Sequence, residues 1–142
     1  VSAPVSSLPV NAADRKDVPL VRGLLDYFPA ALAAVAVVSR IGNEQHNPGQ
    51  PMHHARGKST DEADCLVRHL MDRGTVDTDG VRHTAKVAWR ALSLLQKELE
   101  EAGEAPLARG ARLPAEAPPL PSPAVQALLD ASQAARGTRR GR

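Results

Sequence analysis

Aromatic residues are nearly missing from this 142-residue chain: Tyr27, Phe28 and Trp89 are the whole set. That scarcity excludes folds that read nucleic acid by stacking bases on aromatic platforms. Cysteine occurs once, at Cys65, so neither a disulfide framework within one chain nor a CxxC metal or redox motif is possible. Cys65 lies one turn ahead of His69 and reads as a small packing residue, because nothing near it marks an activated thiolate. Long apolar runs are absent too. The longest, Phe28 to Val38, covers 11 residues, against the roughly 20 that a bilayer demands. No basic region feeding an apolar stretch opens the chain, so a cytoplasmic protein without a secretory signal is expected. The length fits one domain.

Charge of one sign is also scarce, although the net value of +2 hides an asymmetry. Residues 104–142 hold six arginines against three acids, net +3, which leaves −1 for the first 103 residues. The body therefore offers no basic stripe, and no direct nucleic-acid binding is expected. Six of the 12 prolines fall in the same tail. Residues 104–142 are accordingly read as a Pro/Arg-rich C-terminal arm, extended where the prolines cluster between Pro114 and Pro123. One short helix is predicted in it, Pro123 to Arg136, capped by Ser122 and carrying Val125, Leu128 and Leu129 at helical spacing. Its expected use is packing on the body or on a neighbouring subunit. The arm holds no histidine and is expected to be dispensable for chemistry. Residues 1–14 read as an N-terminal arm, and 15–103 as the folded body.

Four segments of that body read as helix, and none shows the alternation of a strand. Pro19 to Leu25 is short and apolar. Pro29 opens the second at a position where its missing N–H costs nothing, and Gly42 is expected to stop it after Ile41. No charge lies between Pro29 and Ser39, so this helix is expected to be buried almost all round. A loop rich in glycine and proline follows, Gly42 to Ser59. Ser59 or Thr60 then caps a third helix running to Arg73. Asp79 caps the fourth, Gly80 to Glu101, in which Val81, Ala85, Ala88, Leu92, Leu95 and Leu99 form an apolar stripe. The fold class is all-α, a small bundle of four core helices. One fully apolar helix and a leucine stripe exceed what a body of about 87 residues covers by itself, so a homodimer or homotetramer is expected.

All five histidines fall within 38 residues, His46 to His83, among six acids and several cations, with Glu44 just ahead of them. At helical spacing Asp61, Asp64 and Arg68 share one face of the third helix, with His69 at its flank and Ala63, Leu66, Val67 and Leu70 opposite. On the fourth, Asp79, Arg82, His83, Lys86 and Arg90 fall opposite the leucine stripe. Two such helices paired as a hairpin bring carboxylates and histidines together at their connected ends. Oxygen-rich clusters of this kind suit Mg²⁺ or Mn²⁺, and the neighbouring cations suit phosphate. The same pattern is also what any solvated helix face shows, with Asp61, Glu62 and Asp79 serving only as caps. Asp64 sits one turn past the cap, where capping does not explain it. Arg56-Gly57-Lys58-Ser59 has the ending of a P-loop, but Met52 stands where its first glycine is required, so a Walker A site is excluded. Lys58 still precedes a helix start, where backbone N–H groups attract phosphate.

Several runs in order carry a family resemblance. They are Gly42-Asn43-Glu44-Gln45-His46-Asn47-Pro48-Gly49, Ala55 to Asp61, and Cys65-Leu66-Val67-Arg68-His69-Leu70. Asp77 to His83 and Ala85-Lys86-Val87-Ala88-Trp89-Arg90-Ala91-Leu92 complete the order. Over about residues 15–101 the chain resembles the phage and bacterial dATP/dGTP diphosphohydrolase N-terminal domain family, a branch of the MazG-like all-α nucleotide pyrophosphohydrolases. The resemblance implies cleavage of a purine deoxynucleoside triphosphate between its α and β phosphates, with divalent metal and with assembly into dimers or tetramers. Of the two purine substrates dGTP is favoured, and the implied setting is a phage nucleotide pool.

Departures from the family shape the expected site. The better-known MazG pattern pairs glutamates on one helix with ExxD on the next, whereas the helix from Pro29 has no acid before Gly42. The nearest counterpart is Asp61-Glu62-Ala63-Asp64, with His83 where ExxD would begin. Lys86 stands where other members carry a second histidine, and His54 where many carry tryptophan. Asp61, Asp64, Asp79 and His83 are therefore the expected metal ligands. Glu44, Asp64 and His69 are the expected catalytic groups, and Lys58, Arg68, Arg82 and Lys86 the expected phosphate-binding residues. A carboxylate–imidazole set favours Mn²⁺ over Mg²⁺. The alternative is a non-catalytic helical module that binds a nucleotide or a protein. A histidine–aspartate phosphohydrolase is disfavoured, because no His-Asp dipeptide occurs.

Overall fold

The computed structural model describes residues 4–113 and 122–138. Its regular elements are α1 (Ala12–Lys16), α2 (Pro29–His46), α3 (Glu62–Met71), α4 (His83–Glu101) and α5 (Pro123–Thr138). A π-helical turn at Val21–Leu25 precedes α2, and a 3-10 turn at Arg109–Ala111 follows α4. The fold is all-α, as expected. Among the described residues the one extended pairing is an isolated antiparallel bridge between Val76 and Arg82. Among the described residues no single helix is long and apolar enough to cross a membrane. The proline cluster at 114–121 and the terminal arginines from 139 onward lie outside the described residues.

Helix α4 is the central element, with α3 and α2 both packed on it and the π-helical turn resting on α2. The expected first core helix amounts to that turn, so the body is built from three helices. The N-terminal arm carries one short helix of its own, α1, whose Asn11 side chain accepts a hydrogen bond from the Ala13 N–H at 2.8 Å.

Two glycines act differently from the expectation. Helix α2 runs through Gly42 to His46. A Cβ at Gly42 would meet nothing within 4 Å, so packing does not require the glycine. The extra turn is held by the Arg40–Glu44 ion pair at 2.9 Å and by Asn43, whose Nδ2 donates to the Gln50 carbonyl at 3.0 Å. Gly80, by contrast, has φ +81°, which no helix accommodates, so α4 starts at His83. Asp79 is therefore not the cap of α4; its Oδ1 accepts from the Val81 N–H at 3.1 Å inside a turn. Similarly α3 starts after Asp61, later than the Ser59 or Thr60 cap predicted for it, and ends at Met71.

The α3–α4 hairpin follows the amphipathic reading only in part: Asp61, Asp64 and Arg68 are exposed and Val81 and Ala85 of the stripe are buried, but polar groups take inner positions expected for apolar ones. Glu62 is 4% exposed and Ser93 5%, whereas Val67 is 51%, Leu92 49% and Leu95 52% exposed. Among the described residues Val81 and Ala85 are the buried apolar side chains. The expectation that α2 is buried almost all round fails as well, for it has no buried residue in the single chain. Hydrophobic burial of this extent does not stabilise a domain of this size alone.

The body also continues past Gly103. The Ala108 N–H donates to Glu100 Oε1 at 3.0 Å, and the His54 N–H donates to the Gly110 carbonyl at 2.6 Å. By contrast α5 forms as expected over Pro123–Thr138, with Ser122 Oγ accepting from the Val125 N–H at 3.3 Å.

Two outcomes are expected. Light scattering at micromolar concentration is expected to give the mass of a dimer or larger assembly, on the ground that Leu92 and Leu95 are exposed and α2 has no buried residue in the single chain; a monomeric mass would contradict this. Ending the chain after Gly103 should lower the melting temperature by roughly 5 °C or more, because bonds to Ala108 and Gly110 are lost. Ending it after Leu113 should not.

Candidate functional site

A cleft of about 710 Å³ opens between the C-terminal half of α2, the loop 47–61, the α3–α4 connection and the first half of α4. Loop 47–61 is pinned by Asn43, whose Oδ1 accepts from Asn47 Nδ2 at 3.2 Å and from the His53 N–H at 3.3 Å. Lys58 lines the cleft and donates to the His46 carbonyl. Trp89 lines it too, its Nε1 donating to Ser39 Oγ at 2.8 Å and its ring 4.8 Å from that of His54.

At the connected end of the hairpin three groups converge. Ligand atoms of His69, Asp77 and His83 all lie within 4.8 Å of one another. The two imidazole Nδ1 atoms are 2.9 Å apart. Two ring nitrogens bound at right angles to one ion, each about 2.1 Å from it, lie about 3 Å apart, so this pair has the spacing of neighbouring ligands. Burial, then the nearby Lys86 and His83, lowers the pKa of His69 and favours the neutral ring that a metal needs. Lys86 stands beside the trio, its Nζ 2.6 Å from both Asp77 Oδ2 and Asp79 Oδ2. That ammonium, with the Thr78 N–H, holds the Asp77 carboxyl down at about 2. Asp79 is lowered by Lys86 in the same way. Against these attractions burial alone would lower Lys86, and the two carboxylates reverse it, so its pKa is raised.

The expected site residues separate into two groups. His69, Asp79 and Lys86 line the cleft together with Lys58 and Asp61, and His83 joins His69 and Asp77. Asp61 is tied to Arg68 at 2.7 Å, an exposed pair that lowers the carboxyl and raises the guanidinium. Glu44 sits outside the cleft lining, exposed and paired with Arg40. Asp64, Arg68 and Arg82 are exposed and also outside the lining.

The sequence reading passed over four residues that matter here: Asp77, Glu62, Arg90 and His54. Asp77 lies in the turn ahead of α4, and Glu62 is expected to serve only as a cap. Their signal was spacing: Glu62 and His69 are seven apart on α3, as are His83, Arg90 and Lys97 on α4. Seven residues is two turns, so each set lies on one face. His54 is held between Trp89 and Arg56 at the rear of the cleft. Comparison of the chain with protein-family models, with curated proteins and with solved structures found no match.

His54 yields a pH prediction. Burial, then the charges of Arg56 and Lys97, lowers its pKa from 6.5 to about 4. Between those values the unfolded chain binds the proton and the folded chain does not, so stability falls as pH drops through that window and levels below it. Solvent screening of the half-buried ring reduces the loss, and His69 adds to it in the same direction. Thermal melts from pH 7 to 4 should show this slope, and His54→Gln should remove the greater part of it. A variant with the full wild-type slope would refute the assignment.

Proposed function

We propose that this chain is a metal-dependent nucleoside triphosphate pyrophosphohydrolase acting on purine deoxynucleotides. One observation carries the reading: the His69–Asp77–His83 cluster stands at the wall of a nucleotide-sized cleft alongside Lys58 and Lys86, with the Trp89–His54 ring pair at the same cleft. A volume of about 710 Å³ lies within the range of small-molecule sites. The resemblance to dATP/dGTP diphosphohydrolases supports the substrate class. The cluster supports a metal site drawn from residues partly different from those first expected, with Asp77 and His69 joining His83, and Asp61 and Asp64 outside it.

Two imidazoles and one carboxylate suit Mn²⁺ better than Mg²⁺. When bound, such an ion supplies charge against the phosphate oxygens and acidifies a water. The chain does the rest. Lys58 and Lys86 attract the phosphates, and Lys86 keeps Asp77 and Asp79 ionised. Asp79 orients the attacking water and takes its proton. Attack at the α phosphorus breaks its bond to the α–β bridging oxygen and releases pyrophosphate with the monophosphate. The half-buried indole of Trp89, which lines the cleft, offers an apolar surface for a purine.

One observation favours the alternative of a nucleotide-binding module without catalysis. Asp77 already accepts from Lys86 on one oxygen and from Thr78 on the other, so a metal must share or displace those bonds. Incubation with dGTP or dATP and Mn²⁺ separates the two readings: pyrophosphate release supports the enzyme, and nucleotide binding without release supports the module. For the enzyme, His69→Ala and Asp77→Asn should each lower turnover on the order of 100-fold or more, while Asp64→Asn changes it by less than about threefold. Full loss in Asp64→Asn with wild-type rates in the other two would overturn the assigned site.

A further inference from the structure

Arg90 lines the same cleft, and it is gripped from behind. Its Nη1 donates to Glu62 Oε2 and to Ser59 Oγ, both at 2.9 Å, and its guanidinium carbon lies 5.4 Å from the Trp89 ring centroid. Glu62 is in turn held on its other oxygen by Lys97 Nζ at 2.8 Å and Ser93 Oγ at 3.0 Å. Burial would raise that carboxyl, but the hydrogen bonds from Arg90, Lys97 and Ser93 outweigh it and keep it ionised.

The anchor occupies only Nη1. Among the described residues Nε and Nη2 of Arg90 have no hydrogen-bond partner, although the side chain is 23% exposed. A guanidinium offers five donors in a rigid fork, and a phosphate takes two of them side by side. A purely structural ion pair would spend the fork on its carboxylate, bidentately, as Arg56 does with Glu100 at 2.8 Å on each oxygen. Arg90 does not. Two cations share Glu62, so the buried cluster keeps one positive charge uncompensated, and its exposed part borders the cleft.

We infer that Arg90 is a phosphate-binding residue of the cleft and that Glu62 is its positioning residue, holding the guanidinium from behind with two donors turned outward. This rests on the reading of the cleft as a nucleotide site and adds to it a binding group and the residue that orients it.

Calorimetric titration of inorganic pyrophosphate, with Mn²⁺ present, tests both residues in the full chain. Wild type is expected to bind, Arg90→Gln at least tenfold more weakly, and both to bind Mn²⁺ alone equally. Arg90→Lys keeps the cation for Glu62 but lacks the fork, and should lose severalfold. It also serves as the readout if Arg90→Gln does not fold. Glu62→Gln should weaken pyrophosphate binding, and the double variant with Arg90→Gln should bind no more weakly than Arg90→Gln alone, because Glu62 acts through Arg90. Wild-type affinity in Arg90→Gln or Arg90→Lys overturns the inference and leaves the proposed activity standing. Additive losses in the double variant overturn the role of Glu62. No pyrophosphate binding by the wild type, with Mn²⁺ bound, removes the cleft as a phosphate site and this inference with it.

Discussion

The Glu62 carboxylate fixes the geometry on which the rest of the body depends. Placing an ion at 4% exposure costs several kcal/mol unless partners compensate it, and here Arg90, Lys97 and Ser93 do so. All three come from α4, so the contact sets the register of α3 against α4. Seven residues along α3, about 10.5 Å, lead from Glu62 to His69. Seven residues back along α4 lead from Arg90 to His83. In an antiparallel pair these steps run together, so a hairpin joined by Glu62–Arg90 at one level must join His69 to His83 at the next. The 2.9 Å contact between those rings follows from the ion pair two turns away.

That register has a consequence for the other faces. With charged groups turned inward, the hairpin presents Val67, Leu92 and Leu95 outward, and α2 adds a helix without a buried residue. Each covered leucine would contribute roughly 1.5–3 kcal/mol. A chain that spends its interior on ions must find its hydrophobic stabilisation elsewhere, and the exposed helix faces are where that surface lies. Ion pairs inside and leucines outside are two sides of one arrangement.

Helix existence was legible because spacing alone reveals it: the stripe from Val81 to Leu99 marks α4, and Pro29 marks the start of α2. Helix facing was legible only in part. Amphipathic reasoning assumes that the apolar side turns inward, and it chose Val67 and Leu70 over Glu62 and His69 for that reason. The site was affected in the same way. The hairpin argument draws His69, His83, Asp79 and Lys86 toward one end, where the structure also has them, whereas Asp77 lies in a turn without a helical spacing and Asp64, on the polar stripe, falls outside the cleft lining. The glycines show a further limit, since Gly42 continues a helix it was expected to stop, while Gly80, expected inside α4, takes a left-handed conformation that keeps it in the preceding turn. Gly110 reached the cleft through backbone bonds, which carry no side-chain pattern at all.

The charges of the cleft constrain what it can hold. Lys58, Lys86 and Arg90 line it against Asp61, Asp77 and Asp79, three of each sign, and His54 and His69 are held toward neutrality. A cleft with no net charge does not attract a polyphosphate by field alone. Moreover Lys86 is already committed to two carboxylates, so it cannot move wholly to a phosphate without leaving them exposed to each other. A triphosphate entering alone would bring its negative charge against three ionised acids. A triphosphate entering with a divalent cation changes both terms at once: the ion offsets part of that charge, and it gives Asp77 a second positive neighbour that relieves its dependence on Lys86. Under the proposed function, the acids that would repel a bare nucleotide would favour a metal-loaded one.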